Sequence, residues 1–463
     1  MLKFKKLTLK DLNKIRTYTQ KSPLKVCDFS VGVLLMWNKS FNYEYAEYND
    51  TIIIKNYYGK DEWFLPPVGK DVDGATVQLE KYCVQKNVNL NYTCVDEGVL
   101  DFYKNRYNGR SLIEYDRCWS DYIYDFTAIK TFVGKRYSGQ RNHINKFKRL
   151  YPNYKYSEIK RGDISMLKEF MKEYKKRHAD MGRIERKEYQ NTITLLDNYS
   201  KKYFIGGYIS VDKKIIAFSI GEYVGDTLVI HIEKALTQYQ GVYPTMFNEF
   251  VNHSEKEGII YINREDDSGD MGLRTSKTQY HPVMLANKNY VMVNKPMQIK
   301  RAPTLKGKGV YADKISQNDK ENYYNLYINK SLNKYWGYDY RADIQTPSLD
   351  AFYNMVVADF KNKENMCLAL RSEKGGQLIG EVVFYNFGYD NTVEIGVRLF
   401  RKYHGKGLGK EAFSLAIKYA TQKLNKIPVA KAYKQNVPSI NALLSAGFKK
   451  VSEDKKFIYF KSC

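Results

Sequence analysis

The chain has 463 residues, a net charge of +24, and 43% hydrophobic against 27% charged residues, which excludes a disordered polymer and allows roughly three packed units at ~150 residues each. No apolar run approaches the ~20 residues that span a bilayer, and six cysteines without CxxC or zinc spacing point to reduced thiols in a cytoplasmic protein. The surplus of 75 Lys and Arg over 51 Asp and Glu suits phosphate-bearing partners, while the wealth of Lys, Asn and Tyr equally fits the codon usage of an AT-rich genome.

In chain order, residues 8–17 read as a helix, and 52–56 and 63–65 as strands. The apolar run 31–37 is too short, and starts too far in, for a secretory signal. A helix over 72–88 and a strand at 122–126 follow. The densest basic stretch, 136–149, reads as a helix carrying Arg136, Arg141, Lys146, Lys148 and Arg149. The spacing of Met166, Leu167, Phe170 and Met171 predicts a helix over 165–176. Three strands (203–211, 214–223, 227–236), a helix (244–256) and a strand (259–262) come next. Residues 296–309, rich in Lys, Pro and Gly, have linker composition.

Beyond it the pattern sharpens. A strand at 310–315 runs into the S-x-x-D helix start at Ser316, and 349–360 is a second amphipathic helix. Strands at 366–370, 378–385 and 392–400 precede a helix over 408–424. A strand (429–433), a short helix (439–445) and strands at 448–452 and 457–460 close the unit. Helices and strands alternate throughout, so the fold class is α/β with mixed sheets.

The segment 393–410 reads VEIGVRLFRKYHGKGLGK. A strand enters a turn that opens a helix, with Gly405, Gly407 and Gly409 alternating with other residues. Backbone N–H groups freed of side chains there converge on a phosphate, and the helix dipole and Lys406 and Lys410 add charge. Downstream, 436–448 reads NVPSINALLSAGF. Together these segments resemble the GNAT family of acyl-CoA transferases over about 310–463. The first matches its pyrophosphate loop and the second its N-x-x-[AS] segment.

The resemblance implies that acetyl-CoA is the donor, that no metal is needed, and that an amine of a small molecule or protein N-terminus attacks the thioester directly. Backbone at Val397 and Leu399 would hold the pantetheine. His404, Gly405, Lys406, Gly407, Leu408, Gly409 and Lys410 would wrap the pyrophosphate, with Asn436 on the second segment. Glu394 is the candidate base, with Glu381 as rival. Leu443 stands where many members have a Tyr to protonate the thiolate, so the Ser439 hydroxyl is the substitute, or else only a helix cap. Trp336 and Tyr338 would line the acceptor pocket, or simply pack in the core.

In the first part, 263–282 reads NREDDSGDMGLRTSKTQYHP. This resembles the signature of the phosphatidylglycerol lysyltransferase C-terminal family, whose members carry two GNAT-like lobes, here over about 1–295. The expected architecture is therefore three GNAT-like units: two within 1–295, a linker at 296–309, and an acetyl-CoA-binding domain at 310–463. Tyr239 and Gly241 align with Tyr403 and Gly405, and Tyr243 and Thr245 replace Gly407 and Gly409, so this lobe is expected to have lost the CoA loop. In that family the donor is an aminoacyl-tRNA, and Arg274 and Lys277 fall where substrate binds. Three readings stand: an acetyltransferase whose first part recognises or modifies the acceptor, an aminoacyl-tRNA-dependent transferase with an accessory acetyltransferase, and a first part that only binds.

Overall fold

The protein is described here by a computed structural model covering residues 2–20, 24–177, 182–336 and 348–462. Tyr338 lies outside the described residues. The chain forms two compact units, the first running to Met292 and the second from Val293, with Cys83–Asn89 and Tyr107–Ser111 grouped with the second.

The first unit is built on two mixed sheets. One runs in the order Lys5–Lys6, Glu44–Tyr48, Thr51–Tyr58, Asp61–Phe64, Leu90–Asp96, Lys288–Val293 and Ser111–Tyr115. The other runs Met284–Ala286, Asp121–Asp125, Tyr261–Asn263, Thr227–Ala235, Lys214–Val224, Ile205–Val211 and Lys155–Glu158. The strand Thr227–Ala235 is almost wholly buried, as a central strand covered on both faces must be.

The second unit holds one sheet, in the order Leu305–Lys306, Tyr311–Lys314, Met366–Arg371, Leu378–Tyr385, Thr392–Leu399, Ile427–Tyr433, Phe457–Lys461 and Lys449–Glu453. Each of the three sheets contains a parallel pair: Asp61–Phe64 with Leu90–Asp96, Thr227–Ala235 with Tyr261–Asn263, and Thr392–Leu399 with Ile427–Tyr433. The same strand–helix–parallel strand unit recurs in the three mixed sheets, and the α/β fold class read from the sequence holds.

The expected linker needs correction. Met297 and Ile299 are buried in the core of the second unit, and Leu305–Lys306 adds an edge strand to its sheet. The lysine-rich composition of 296–309 hid these apolar anchors.

One register detail positions the site. Thr392, Val393 and Glu394 pair in parallel with Ile427, Pro428 and Val429, and the pairing stops there. Residues 429–433 continue by pairing with Phe457–Lys461 on their other side. The two central strands therefore splay beyond Glu394. Val393, Ile395 and Leu399 enter the core with Ala412, Phe413 and Ala416 of the helix Leu408–Gln422. Glu394, Gly396 and Arg398 face the other side of the sheet, as the two-residue period of a strand requires.

Candidate functional sites

At the open end of the splay the 392–399 strand turns into the helix Leu408–Gln422, whose N-cap is Gly407. Gly405 and Gly407 both have positive φ, +73° and +75°, and no heavy atom lies within 4 Å of where a Cβ would stand. Only glycine takes this backbone without strain, and the absence of side chains leaves a hollow over the helix N-terminus. The N–H groups of Gly405, Lys406 and Gly407 have no hydrogen-bond partner among the described residues. The first N–H groups of the helix lack intrahelical acceptors by geometry. Donors and dipole thus face the same open space, Lys406 Nζ lies over the neighbouring Tyr403 ring at 5.6 Å, and Gly409 and Lys410 follow in the first turn.

His404 is committed to the fold: its Nε2 lies 2.9 Å from the Leu399 carbonyl, and the ring donates there. That bond occupies one of the two lone pairs of the Leu399 carbonyl. Val397 is only partly buried and lies where the parallel pairing has ended.

Glu394 is 8% exposed, and its carboxylate accepts from the Tyr385 hydroxyl and the Asn386 amide, both at 2.8 Å, with Lys431 Nζ 3.7 Å away. The group is oriented but keeps lone pairs for another donor. Glu381 differs. It is fully buried, paired with Arg398, and accepts from Tyr323 Oη at 2.8 Å. Both of its oxygens are thus taken up by core partners.

Trp336 lies over the same sheet face. Its ring is 4.4 Å from the Arg398 guanidinium, and a Cβ on Gly396 would come within 3.0 Å of it. Asn436 caps the helix Val437–Ala446, accepting from the Ser439 N–H at 3.4 Å. Ser439 itself is half-buried in the first turn, and Leu443 is a core residue.

The corresponding turn of the first unit has a different register. The helix Val242–Asn252 has Gly241 as its N-cap, so Gly241 is equivalent to Gly407 rather than Gly405, and the loop is two residues shorter. A Cβ at Gly241 would meet the His143 carbonyl oxygen at 2.3 Å. The helix Ser138–Leu150 thus packs against Gly241 itself, while Gly241 to Pro244 line a large cavity.

What the first unit has instead is a cavity of about 1530 Å³. One part is aromatic, with Trp37, Phe41, Tyr43, Tyr58 and Tyr290; another is polar, with Arg136, His143, Glu233, Lys234 and Arg264. Its wall holds buried ion clusters that no sequence motif announces. Lys288 Nζ lies 2.9 Å from Asp28, 2.8 Å from Asp121 and 3.3 Å from Cys27 Sγ. Burial disfavours its charge, but Asp121 and Asp28 outweigh that and hold its pKa well above the ordinary lysine value. Cys27, Asp28 and Asp121 form a metal-like donor set, and the Lys288 ammonium is the cation that sits on it. Burial pushes the Cys27 thiol up, so it is a weak nucleophile.

His231 lies between two carboxylates, 2.9 Å from Glu222 and 2.8 Å from Glu265. Glu222 also accepts from the Gly32 N–H at 2.6 Å, and a Cβ on Gly32 would come within 2.3 Å of the imidazole. Burial lowers the His231 pKa, but the two hydrogen-bonded carboxylates outweigh it and lift it to about 9. The imidazolium's contribution to stability is complete below the free value of 6.5 and fades as pH rises through about 9. A shift of this size corresponds to about 3 kcal/mol. Urea unfolding of the first unit should therefore need less denaturant above pH ~9 than near pH ~6.5, and His231→Gln should remove most of that difference.

Two expected substrate residues are held by internal contacts. Lys277 Nζ donates to the backbone carbonyls of Arg264, Glu265 and Asp266, at 2.6 Å, at 3.3 Å and in a shorter contact. It lines the cavity, yet burial and the nearby Arg264 lower its pKa. Arg274 forms a two-pronged pair with Asp267, Nε at 2.8 Å and Nη2 at 3.0 Å, and does not line the cavity. Burial raises the Asp267 pKa, but the bonds from Arg274 and Tyr122 outweigh it and hold the carboxyl well below the usual range. The signature around 263–282 thus builds a rigid cavity wall. In the basic stretch, Arg141 is committed to the carbonyls of Phe132 and Gly134, while Arg136 and His143 reach the cavity.

Comparison with known proteins agrees with this division. The phosphatidylglycerol lysyltransferase C-terminal family matches residues 19–292, more than half of the chain. The chain belongs to that family. A GNAT acetyltransferase domain matches residues 312–449. A solved structure of a conserved protein of unknown function from Bacteroides thetaiotaomicron is 31% identical, with a TM-score of 0.61, and covers 63% of this chain and 100% of its own. The structure of L-PGS from Bacillus licheniformis is 13% identical with a TM-score of 0.47, over 62% of this chain and 93% of its own. A curated relative, the uncharacterized N-acetyltransferase YnaD of Bacillus subtilis, is 30% identical over 114 residues, 24% of this chain and 61% of that relative's length. The GNAT domain and this relative support acyltransferase function. No helix among the described residues is long and apolar enough to cross a membrane.

Proposed function

We propose that the second unit transfers acetyl from acetyl-CoA to an amine, and that the first unit recognises or modifies the acceptor. The observation that carries this reading is the open glycine turn, Gly405 to Lys410, at the mouth of the splayed parallel pair. The pyrophosphate of the donor fits the hollow, and the thioester fits between the strands beyond Glu394, with the backbone of Val397 beside it.

Glu394, held by Tyr385 and Asn386, takes the proton from the attacking amine, directly or through water. The amine nitrogen bonds to the thioester carbonyl carbon, and backbone N–H groups stabilise the charge that builds on the oxygen. The C–S bond then breaks, and the Ser439 hydroxyl gives the departing thiolate a proton that solvent restores. Trp336, braced by Arg398, walls the acceptor side. No step calls for a metal. The five free cysteines among the described residues and a CoA donor fit a cytoplasmic location. The test is incubation with labelled acetyl-CoA and candidate amines, read by mass spectrometry; no acetylated product from small amines or peptide N-termini would overturn the reading.

A second reading concerns the first unit. The family match and a large charged cavity with Arg136 and His143 at its polar end favour an aminoacyl-tRNA ligand over a passive module. If tRNA binds, affinity should fall steeply with salt, because each neutralised phosphate releases counterions. A gel shift with charged tRNA that is absent, or that ignores salt, would leave the first unit as a non-catalytic binding module.

A further inference from the structure

Five rings line one end of the first unit's cavity. Trp37 and Phe41 stand four residues apart on the helix Val31–Phe41, hence on one face. Tyr43 follows that helix, Tyr58 ends the strand Thr51–Tyr58, and Tyr290 belongs to the strand Lys288–Val293. The Phe41 ring centre lies 5.8 Å from that of Trp37, 5.9 Å from Tyr43 and 5.3 Å from Tyr58. Trp63, which does not line the cavity, is edge-on to both Tyr58 and Tyr290 at 5.6 Å. Each wall ring is thus braced by another, at the tilted and edge-on spacings that aromatic pairs prefer.

Tyr43 supplies the deciding observation. It is 4% exposed and lines the cavity, yet its hydroxyl has no hydrogen-bond partner among the described residues. Unlike the Tyr199 hydroxyl, which is unpartnered and sealed in the core, it keeps accessible surface. The Tyr290 hydroxyl also lacks a partner among the described residues. Burial raises the pKa of Tyr43, Tyr58 and Tyr290, the last to about 12, so these phenols stay protonated at neutral pH. A buried hydroxyl that donates to nothing costs free energy, which an acceptor on a ligand would recover. Asp28, the acid whose charge acts on all three phenols, already holds the Lys288 ammonium at 2.9 Å. A cationic side chain would have to share that carboxylate with Lys288; a neutral ring needs none.

We propose that this compartment holds the side chain of an aminoacyl group, and that this side chain is an aromatic ring carrying a hydroxyl. The proposal rests on the aminoacyl-tRNA reading of the first unit and names the amino acid that reading leaves open. The ring lies against Trp37, Phe41 and Tyr58, where its apolar surface leaves water, and its hydroxyl accepts from Tyr43. A site that pairs with a hydroxyl rejects the ring that lacks one, because Tyr43 is then left without its acceptor.

The test is calorimetric titration of the full chain with L-tyrosinamide, L-phenylalaninamide and L-lysinamide, in which the amide stands for the acyl carbonyl joined to tRNA. The wild type should bind tyrosinamide about 10-fold or more tighter than phenylalaninamide, and lysinamide more weakly than either. Tyr58 is 36% exposed and tolerates truncation, so Tyr58→Ala should weaken both aromatic amides by about 10-fold. Tyr43→Phe should weaken tyrosinamide alone and erase its advantage, a change that a purely structural role would not produce. Equal affinity for tyrosinamide and phenylalaninamide, a preference for lysinamide, or no binding of any amide would overturn the proposal. Gel shifts with tyrosyl-tRNA and lysyl-tRNA separate it from the reading beneath it. A shift with lysyl-tRNA alone keeps the aminoacyl-tRNA reading and overturns the ring; tyrosinamide binding with no shift by either tRNA keeps the ring and overturns that reading.

Discussion

Glu394→Gln should lower kcat for acetyl transfer by about 10²–10⁴-fold, the usual contribution of a general base, and leave the KM for acetyl-CoA nearly unchanged. The amide has the carboxylate's shape, so Tyr385 and Asn386 still orient it, and 8% exposure leaves it at the same edge of the splay. What is lost is the capacity to take a proton from the amine. The acidic limb of the pH–rate profile should disappear in the variant. Glu381→Gln should behave otherwise. It leaves Arg398 without its counter-charge in the core, so destabilisation should accompany any loss of rate. A surviving acidic limb in Glu394→Gln would assign the proton to bulk water instead.

Gly409→Asp should abolish detectable acetyl-CoA binding, a loss of at least about 100-fold. Gly409 sits in the first helical turn with ordinary backbone, and only Leu399 Cδ1, at 3.8 Å, stands near its Cβ position. The helix should therefore keep its fold, while a carboxylate enters the anion hollow. Loss of one charge-assisted contact and gain of a like charge together exceed about 3 kcal/mol in a partly desolvated site. Gly407→Tyr should give the same loss, but at φ +75° it also strains the backbone, so the aspartate is the cleaner variant. Calorimetry showing wild-type affinity in Gly409→Asp would remove the loop from the donor site.

The second unit was legible because its chemistry is contiguous. Strand, glycine turn and helix occupy 393–410 without interruption, and the strands at 378–385 and 392–399 come within a residue of their expected bounds. Other elements resisted for physical reasons. The first two turns of the helix Val31–Phe41 are apolar on every side because they are buried, so they show no helical period. Gly241 pairs with Gly405 in sequence but with Gly407 in structure, since a two-residue deletion in a loop leaves no mark on composition and only the helix start reveals it.

The ion clusters of the first unit lie further still from sequence reasoning. Asp28, Asp121 and Lys288 meet across widely separated strands and loops, and His231 meets Glu222 and Glu265 the same way. Each alone reads as an ordinary charged residue. The signature at 263–282 was visible, but its sense was not. Lys277 and Arg274 stood out as cations beside a cleft, and both turn out to be committed, one to carbonyls and one to Asp267. The signal available in principle was the density of Asp around Arg274, which supplies its partner.

The central claim is that the donor uses the second unit's glycine turn and not its shortened counterpart in the first. Hydrogen exchange of the full chain with and without acetyl-CoA tests this most directly, because the N–H groups of Gly405, Lys406 and Gly407 have no acceptor among the described residues and should exchange fast until a phosphate accepts from them. The account predicts slowed exchange over 404–411 and along 394–399, with 236–246 unchanged. Protection that instead falls on 236–246, or no protection anywhere at saturating acetyl-CoA, would contradict it.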